Sequence, residues 1–231
     1  MSSLTVVDHN DERVSLDDAV RLYEGNWGEI VKPEFNLDDG SLSRILRTQI
    51  EKRVEIFPEG QRVGIDSSTI SLAGTIYSIL FNSLQFGYVE SWNHLTEHGG
   101  GTTHNEYGDS LICYAIQTNS TKKGAARLLI EDKKKQAEKL GRRLFVFTRP
   151  DGLRAYAEEQ GWDLSDQSNI ERYLEGLEQG KIKVHDGVSF HRHHDAVLSR
   201  LLRNEKPYLP NSRPFDVNSL GYNVLMEYPV K

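Results

Sequence analysis

An α/β fold built on one twisted, mixed β-sheet is predicted by three features of the chain. Residues 110–160 run strand, glycine-bearing turn, long helix, strand, helix. Residues 62–86 are dense in β-branched side chains, and the chain returns to strand-like sequence at Gly221–Tyr228. Strands interleaved with helical patterns call for a sheet covered by helices rather than a bundle or a sandwich. A length of 231 residues, 37% hydrophobic and 27% charged, suits a single domain spanning 1–231. The net charge of −6 argues against nonspecific nucleic-acid binding. No apolar run reaches the length of a membrane span, and no leader pattern follows Met1, so a cytoplasmic setting is expected. The lone Cys113 sits inside the apolar run S-L-I-C-Y-A-I-Q, which predicts a buried structural thiol.

Taken in order, residues 1–10 are polar and read as a loose N-terminus. S-L-D-D at Ser15 reads as a capping box that opens a helix toward Tyr23 and Trp27. Ser41 is expected to cap a second helix, with Leu42, Ile45, Leu46, Ile50 and Val54 on one face until Pro58 ends it. F-P-E-G-Q then turns the chain into two or three strands. Glu90–Asp109, with three consecutive glycines, predicts a mobile loop beside the site. Its His94 and His98 have the spacing of a helical metal pair, with His104 near, but no carboxylate stands at a recognised spacing, so no metal site is assigned. Ser110–Gln117 and Arg143–Thr148 read as strands; Leu153–Gln160 and Ile170–Leu177 read as helices. The Lys133–Lys135 run reads as an exposed helix face.

The turn between the strand at Ser110 and the helix that follows carries the chemistry. A small-residue turn at a helix start leaves several N–H groups unpaired near the positive end of the dipole, a geometry suited to pyrophosphate. Neither G-x-x-x-x-G-K-[ST] nor G-x-G-x-x-G is present. An ordinary capped amphipathic helix is the plain alternative for T-K-K-G-A-A.

The turn resembles the acyl-CoA signature [RQ]-x-x-G-x-[GA] of the GNAT acyltransferase superfamily, with Thr121 where Arg or Gln is usual, then Gly124 and Ala126. The likeness extends along the chain to one branch, the GNAT-like decarboxylase and loading domains of polyketide synthases (curacin type) and the GNAT domains beside nitrilase-type domains. It runs through I-F-P-E-G-Q, E-S-W-N-H-L-T, V-F-T-R, F-H-R-H-H, N-S-R-P-F-D and S-L-G-Y-N-V-L-M-E-Y. The resemblance implies a GNAT fold with acyl-CoA (acetyl-CoA or malonyl-CoA) bound by Tyr114, Ala115, Ile116, Gln117, Thr121, Lys122, Lys123, Gly124, Ala125, Ala126 and Arg127. It further implies malonyl-CoA decarboxylation through Thr148 and His191, acyl delivery to an acyl carrier protein through Arg213, and a tunnel tryptophan at Trp27. Two departures bear on Arg213: Asp195 stands where glycine is usual, and the stretch from His194 to Arg213 is longer. An N-acetyltransferase acting on an amine, or a non-catalytic acyl-CoA-binding module, remains open.

The chemistry suits those residue types. An enolate forming on a thioester oxygen needs hydrogen-bond donors in a site sheltered from water. Thr148 and His191 can supply them, and an imidazole with a pKa near ~6.5 can also donate a proton. Arg213 can orient a carboxylate or phosphate. The plain alternatives are a solvated or zinc-binding histidine cluster, a strand-end threonine, a loop arginine and a core tryptophan. Arg192, Arg200, Arg203, Lys206 and Arg213 form a basic stretch suited to an acidic carrier surface, or simply to solvent.

Overall fold

The computed structural model describes residues 4–229. Strands β1 (Leu4–Asp8), β2 (Gln61–Asp66), β3 (Ser71–Phe81), β4 (Ser110–Thr118), β5 (Arg143–Thr148), β6 (Val197–Leu198), β7 (Tyr208–Leu209) and β8 (Asn223–Tyr228) form one sheet. Its order is β1-β2-β3-β4-β5-β8-β6, with β7 also on β8. Only the β4–β5 neighbours are parallel.

Helices α1 (Leu16–Phe35), α2 (Asp39–Ile56) and α3 (Trp92–Thr96) belong to one core around Tyr23, Leu46, Ile50, Tyr77, Trp92 and Phe145. The other face carries α4 (Ala125–Leu140), α5 (Leu153–Glu159), α6 (Asn169–Glu178) and α7 (Gly187–His193) over Ile76, Leu129, Val146, Tyr173 and Met226. A sheet with both faces covered hides its central strands, and β3 is buried along nine of its eleven residues. No described helix is long and apolar enough to cross a membrane.

Four local expectations are revised. Leu4–Asp8 is not loose: it pairs antiparallel with β2, Leu4 opposite Asp66, and Val6 packs on the core. Alternation of Leu4 and Val6 with polar neighbours is short, but a waiting sheet edge needs no more. Asp38, not Ser41, caps α2; its Oδ1 accepts the Ser41 N–H at 2.6 Å, and Ile45 on that helix stays 42% exposed. The glycine-rich segment is packed rather than mobile, with Trp92, Leu95 and Thr96 buried and the buried Arg53 donating from Nε to the Gly99 carbonyl at 2.6 Å.

Lys133 is the fourth. It is fully buried, and its Nζ donates to Gly60 O (2.8 Å), Ser78 Oγ (2.9 Å) and Gln136 Oε1 (2.7 Å). Three acceptors match an ammonium's three donors, so the charge is sheltered within a closed polar knot, although burial pulls its pKa down to about 8. A run of like charges hides this because one lysine in three points inward. Lys133→Ala should therefore lose roughly 2–4 kcal/mol of stability in urea unfolding, since it opens a cavity and strands buried acceptors. Lys135→Ala, an exposed neighbour, should change the midpoint little.

Candidate active site

The site begins where two strands part. β4 and β5 pair only from Ser110 opposite Arg143 to Cys113 opposite Val146. Beyond that point β4 follows β3 as far as Thr118, and β5 follows β8 as far as Thr148. A register shift places Tyr114 as the extra residue of a bulge between Cys113 and Ala115, which turns β4 away from β5. The backbone groups of Tyr114–Thr118 that do not face β3 then face an open cleft.

A cavity of about 200 Å³ fills the split, lined by Tyr114, Ala115, Ile116 and Gln117 on one side and Phe147, Thr148 and Arg149 on the other. Trp27, His191 and Arg213 also line it. All four proposed catalytic residues therefore meet in one place, although they come from α1, β5, α7 and the loop before β8. Cys113 borders the same space with its thiol pushed up to about 12 by burial, and so stays protonated.

Thr148 ends β5, its carbonyl accepting from Asn223 Nδ2 at 3.1 Å. Gly187 is what allows α7 to approach it: a Cβ there would lie 2.4 Å from Thr148 Oγ1. Asp186 caps α7, accepting from Ser189 N and from Tyr173 Oη, and Asp151 Oδ1 accepts the Gly187 N–H at 3.0 Å.

His191 is 2% exposed and its Nδ1 lies 2.7 Å from Tyr228 Oη; Nε2 makes no hydrogen bond among the described residues. Burial, with the neighbouring His194 adding to it, lowers its pKa to about 3. The imidazole is thus neutral at pH 7, which revises the expectation of a proton donor titrating near ~6.5. Burial also raises the Tyr228 pKa, keeping that hydroxyl available as donor to Nδ1.

Arg213 is not a loop arginine in solvent. Its guanidinium is buried between two indoles, 4.5 Å from the Trp27 centroid and 3.9 Å from that of Trp92. Arg149 stacks on Trp27 as well, at 4.4 Å. The result is a run of cation–ring contacts, Arg149–Trp27–Arg213–Trp92, in which Trp27 meets two guanidinium groups and Trp92 one. Trp92 Nε1 donates to the Tyr114 carbonyl at 2.9 Å, tying the stack to the bulge.

Asp216 pairs with Arg149 through both oxygens and accepts from Ser219 Oγ; burial opposes its ionisation, but Arg149 keeps its pKa below the ordinary value. Burial, reinforced by Arg149, pulls Arg213 down to about 10, so it too is charged at neutral pH. Arg149 takes the carboxylate through both oxygens, Arg213 feels it only through space, and Arg213 Nε has no partner among the described residues.

The turn before α4 has the expected shape. Gly124 is its N-cap with φ +88°, a left-handed value that favours glycine. The N–H groups of Lys123, Gly124, Ala126 and Arg127 have no partner among the described residues. Thr121 is held by Asn119 Oδ1 through both N and Oγ1, Ala125 is buried, and Lys123 and Arg127 are exposed. Lys122, named among the acyl-CoA-binding residues, already has an anion, its Nζ lying 2.8 Å from Asp66 Oδ2. A groove of about 830 Å³ runs from the cleft past Ile116, Thr118 and Ala126 to Phe190 and His193.

The histidines expected as metal alternatives do not gather. His104 Nδ1 accepts the Leu80 N–H and its ring stacks on Phe57, while His94 Nδ1 accepts the Glu90 N–H. No group of three or more His, Cys, Asp or Glu among the described residues is placed to hold a metal ion. Sequence reading missed Arg149, Asp216, Trp92 and Tyr228 as parts of the site. Each lies inside a quoted motif, but only geometry shows which of a motif's residues turn inward.

Neither a protein-family model nor a curated protein matches the sequence. Solved structures do. The loading GNATL domain of CurA from Lyngbya majuscula superposes with a TM-score of 0.68 at 20% identity, over 98% of this chain and 97% of that one. The chain has the GNAT fold. The GphF GNAT-like decarboxylase in complex with isobutyryl-CoA gives a TM-score of 0.66 at 17% identity, covering 99% of this chain and 100% of that one. An aminoglycoside 6'-N-acetyltransferase complexed with coenzyme A gives 0.53 at 13%, covering 99% and 98%.

Two predictions follow from the charges of this cleft. Asp216→Asn should destabilise the protein by roughly 2–4 kcal/mol in urea unfolding, because the half-buried Arg149 loses its bidentate partner and the buried Arg213 loses its nearby anion. The second concerns pH. A histidine neutral when folded but protonatable when unfolded makes stability fall as pH drops from about 6.5 toward 3, and leaves a plateau above about 6.5. Chemical denaturation across that window should show His191→Gln with a shallower acid slope than wild type.

Proposed function

We propose that this chain is a CoA-dependent acyltransferase that decarboxylates malonyl-CoA and passes the acetyl group to the thiol of an acyl carrier protein, as in polyketide-type starter loading. The observation that carries it is the convergence of Thr148, a neutral buried His191 and an anion-short pair of guanidinium groups at the split of β4 and β5. The likeness to the CurA loading domain and the GphF decarboxylase supports the subclass.

On this reading the pyrophosphate of CoA sits on the free N–H groups of the α4 turn, and the pantetheine follows the exposed edge of Tyr114–Gln117. The thioester then lies between Thr148 and His191. With Tyr228 donating to Nδ1, the imidazole carries its proton on Nε2 and donates a hydrogen bond to the thioester oxygen, as does the Thr148 hydroxyl. The bond from C2 to the carboxylate breaks, CO₂ leaves, and its electron pair forms the enolate that these donors stabilise. Because His191 remains neutral, it steadies the charge without surrendering a proton; solvent protonates C2. Arg213 and Arg149 hold the malonyl carboxylate before it leaves. Transfer then needs the carrier thiolate to add to the acetyl carbonyl and CoA thiolate to depart.

The carrier surface is narrower than the basic stretch first suggested. Arg213 is buried, Arg192 donates to the carbonyls of Leu177 and Glu178, and Lys206 pairs with Glu171. Arg200 and Arg203 stay exposed and are the residues offered to an acidic partner.

The decisive experiment follows malonyl-CoA by mass, with and without a phosphopantetheinylated carrier protein. Acetyl-CoA and acetylated carrier are expected, and intact malonyl-CoA would overturn the reading. His191→Ala and Thr148→Val should each slow decarboxylation about 100-fold or more. Gly124→Glu should remove CoA binding in calorimetry, because it strains the left-handed turn and sets a carboxylate against the phosphates.

A further inference from the structure

A second chamber lies beyond the stack. It measures about 520 Å³ and is walled by Trp27, Val31, Leu42, Ile45, Leu46 and Phe215. Trp27 and Arg213 line both this chamber and the catalytic cavity, while Thr148 and His191 line both that cavity and the groove toward α4. The three spaces therefore adjoin in the order groove, reaction cavity, apolar chamber, with Trp27 and Arg213 at the boundary of the last two. The volume falls in the range of small-molecule pockets, roughly 300–1,000 Å³. Its polar lining is Tyr23, Gln49, Asn93, His98 and Arg213, and the Gln49 amide nitrogen is spent on the His98 carbonyl. Ile45, left 42% exposed on an otherwise core-facing stripe of α2, is an apolar wall of this chamber.

We propose that this chamber receives the carbon chain of the acyl group, so that the protein accepts acyl-CoA thioesters with apolar chains of several carbons as well as the two-carbon unit. The inference rests on the acyl-CoA reading above. Its geometry is that of a thioester. The acyl chain leaves the carbonyl carbon on the side opposite the sulfur, so with the pantetheine in the groove the chain continues the same line past Trp27 and Arg213. An attacking thiol approaches across the carbonyl plane and does not need that line. A pantetheine arm in the chamber would bury two amides against mostly apolar walls, which is unfavourable unless each finds a partner.

Calorimetry with CoA, acetyl-CoA, butyryl-CoA, hexanoyl-CoA and octanoyl-CoA tests this. Affinity should rise by up to about fourfold per added methylene once the chain enters the chamber. Ile45→Trp, which fills the chamber from α2, should abolish that rise while CoA and acetyl-CoA bind as to wild type. Val31→Phe, from α1, guards against a folding defect in the first variant. Flat affinity along the series, or a rise that survives both substitutions, overturns the chamber assignment. Loss of binding to CoA itself in the wild-type protein would instead overturn the acyl-CoA reading.

Discussion

The site depends on one geometric constraint: two adjacent parallel strands stop pairing halfway along. A strand edge exposed in a protein's interior ordinarily carries a penalty for every unpaired N–H and C=O. Here each strand keeps its outer partner, β4 with β3 and β5 with β8, so only the inner edge is open. The bulge at Tyr114 makes the divergence local, and α4 and α7 cover the cleft on one face while α1 and α3 close it on the other. Everything placed at the split, from Thr148 at the end of β5 to the Gly124 turn, inherits its position from that departure. A ligand with alternating amides can pair with the open edge as a strand would.

The second constraint is the stack that bridges the split. Arg149 comes from the end of β5, Trp27 from α1, Arg213 from the loop before β8, and Trp92 from α3, which in turn bonds the Tyr114 bulge. Four segments distant in sequence are joined by cation–π faces, and a buried carboxylate fastens one end. Guanidinium tolerates this burial better than ammonium because it is flat, weakly hydrated and stays charged even when its pKa falls to about 10. The same arrangement gives the cleft a positive excess close to the reacting centre.

Strand and helix order were legible because hydrophobic period and turn chemistry agree over 110–178, where each element has its own cap or glycine stop. The convergence of Thr148, His191 and Arg213 was legible only through resemblance, since nothing in their spacing brings 148, 191 and 213 together. Burial of charge was not legible at all. Lys133 sits in a lysine run, Arg53 in a polar helix and Arg213 beside a proline, and a charged residue on a sequence carries no mark of the acceptors or rings that await it. The short strand β1 was missed for a related reason. Its stability comes from the edge of β2, a partner more than fifty residues away.

The protonation state of His191 decides how the cleft handles charge. A cationic imidazole would add a third positive group to the cavity that Arg149 and Arg213 already line, in a space too small for much screening water. Burial removes that third charge, and Tyr228 fixes the ring by its Nδ1 contact. Under the proposed function this gives a division of labour: the guanidinium groups would supply the net charge that attracts an anion, and the neutral donors would address the polarised carbonyl. A strong acid at the carbonyl would quench an enolate by protonating oxygen, whereas a neutral donor lowers its energy and leaves the carbon nucleophilic enough to take a proton from solvent. The low pKa of the buried histidine is thus consistent with carbanion chemistry at this cleft, because it separates stabilising the charge from neutralising it.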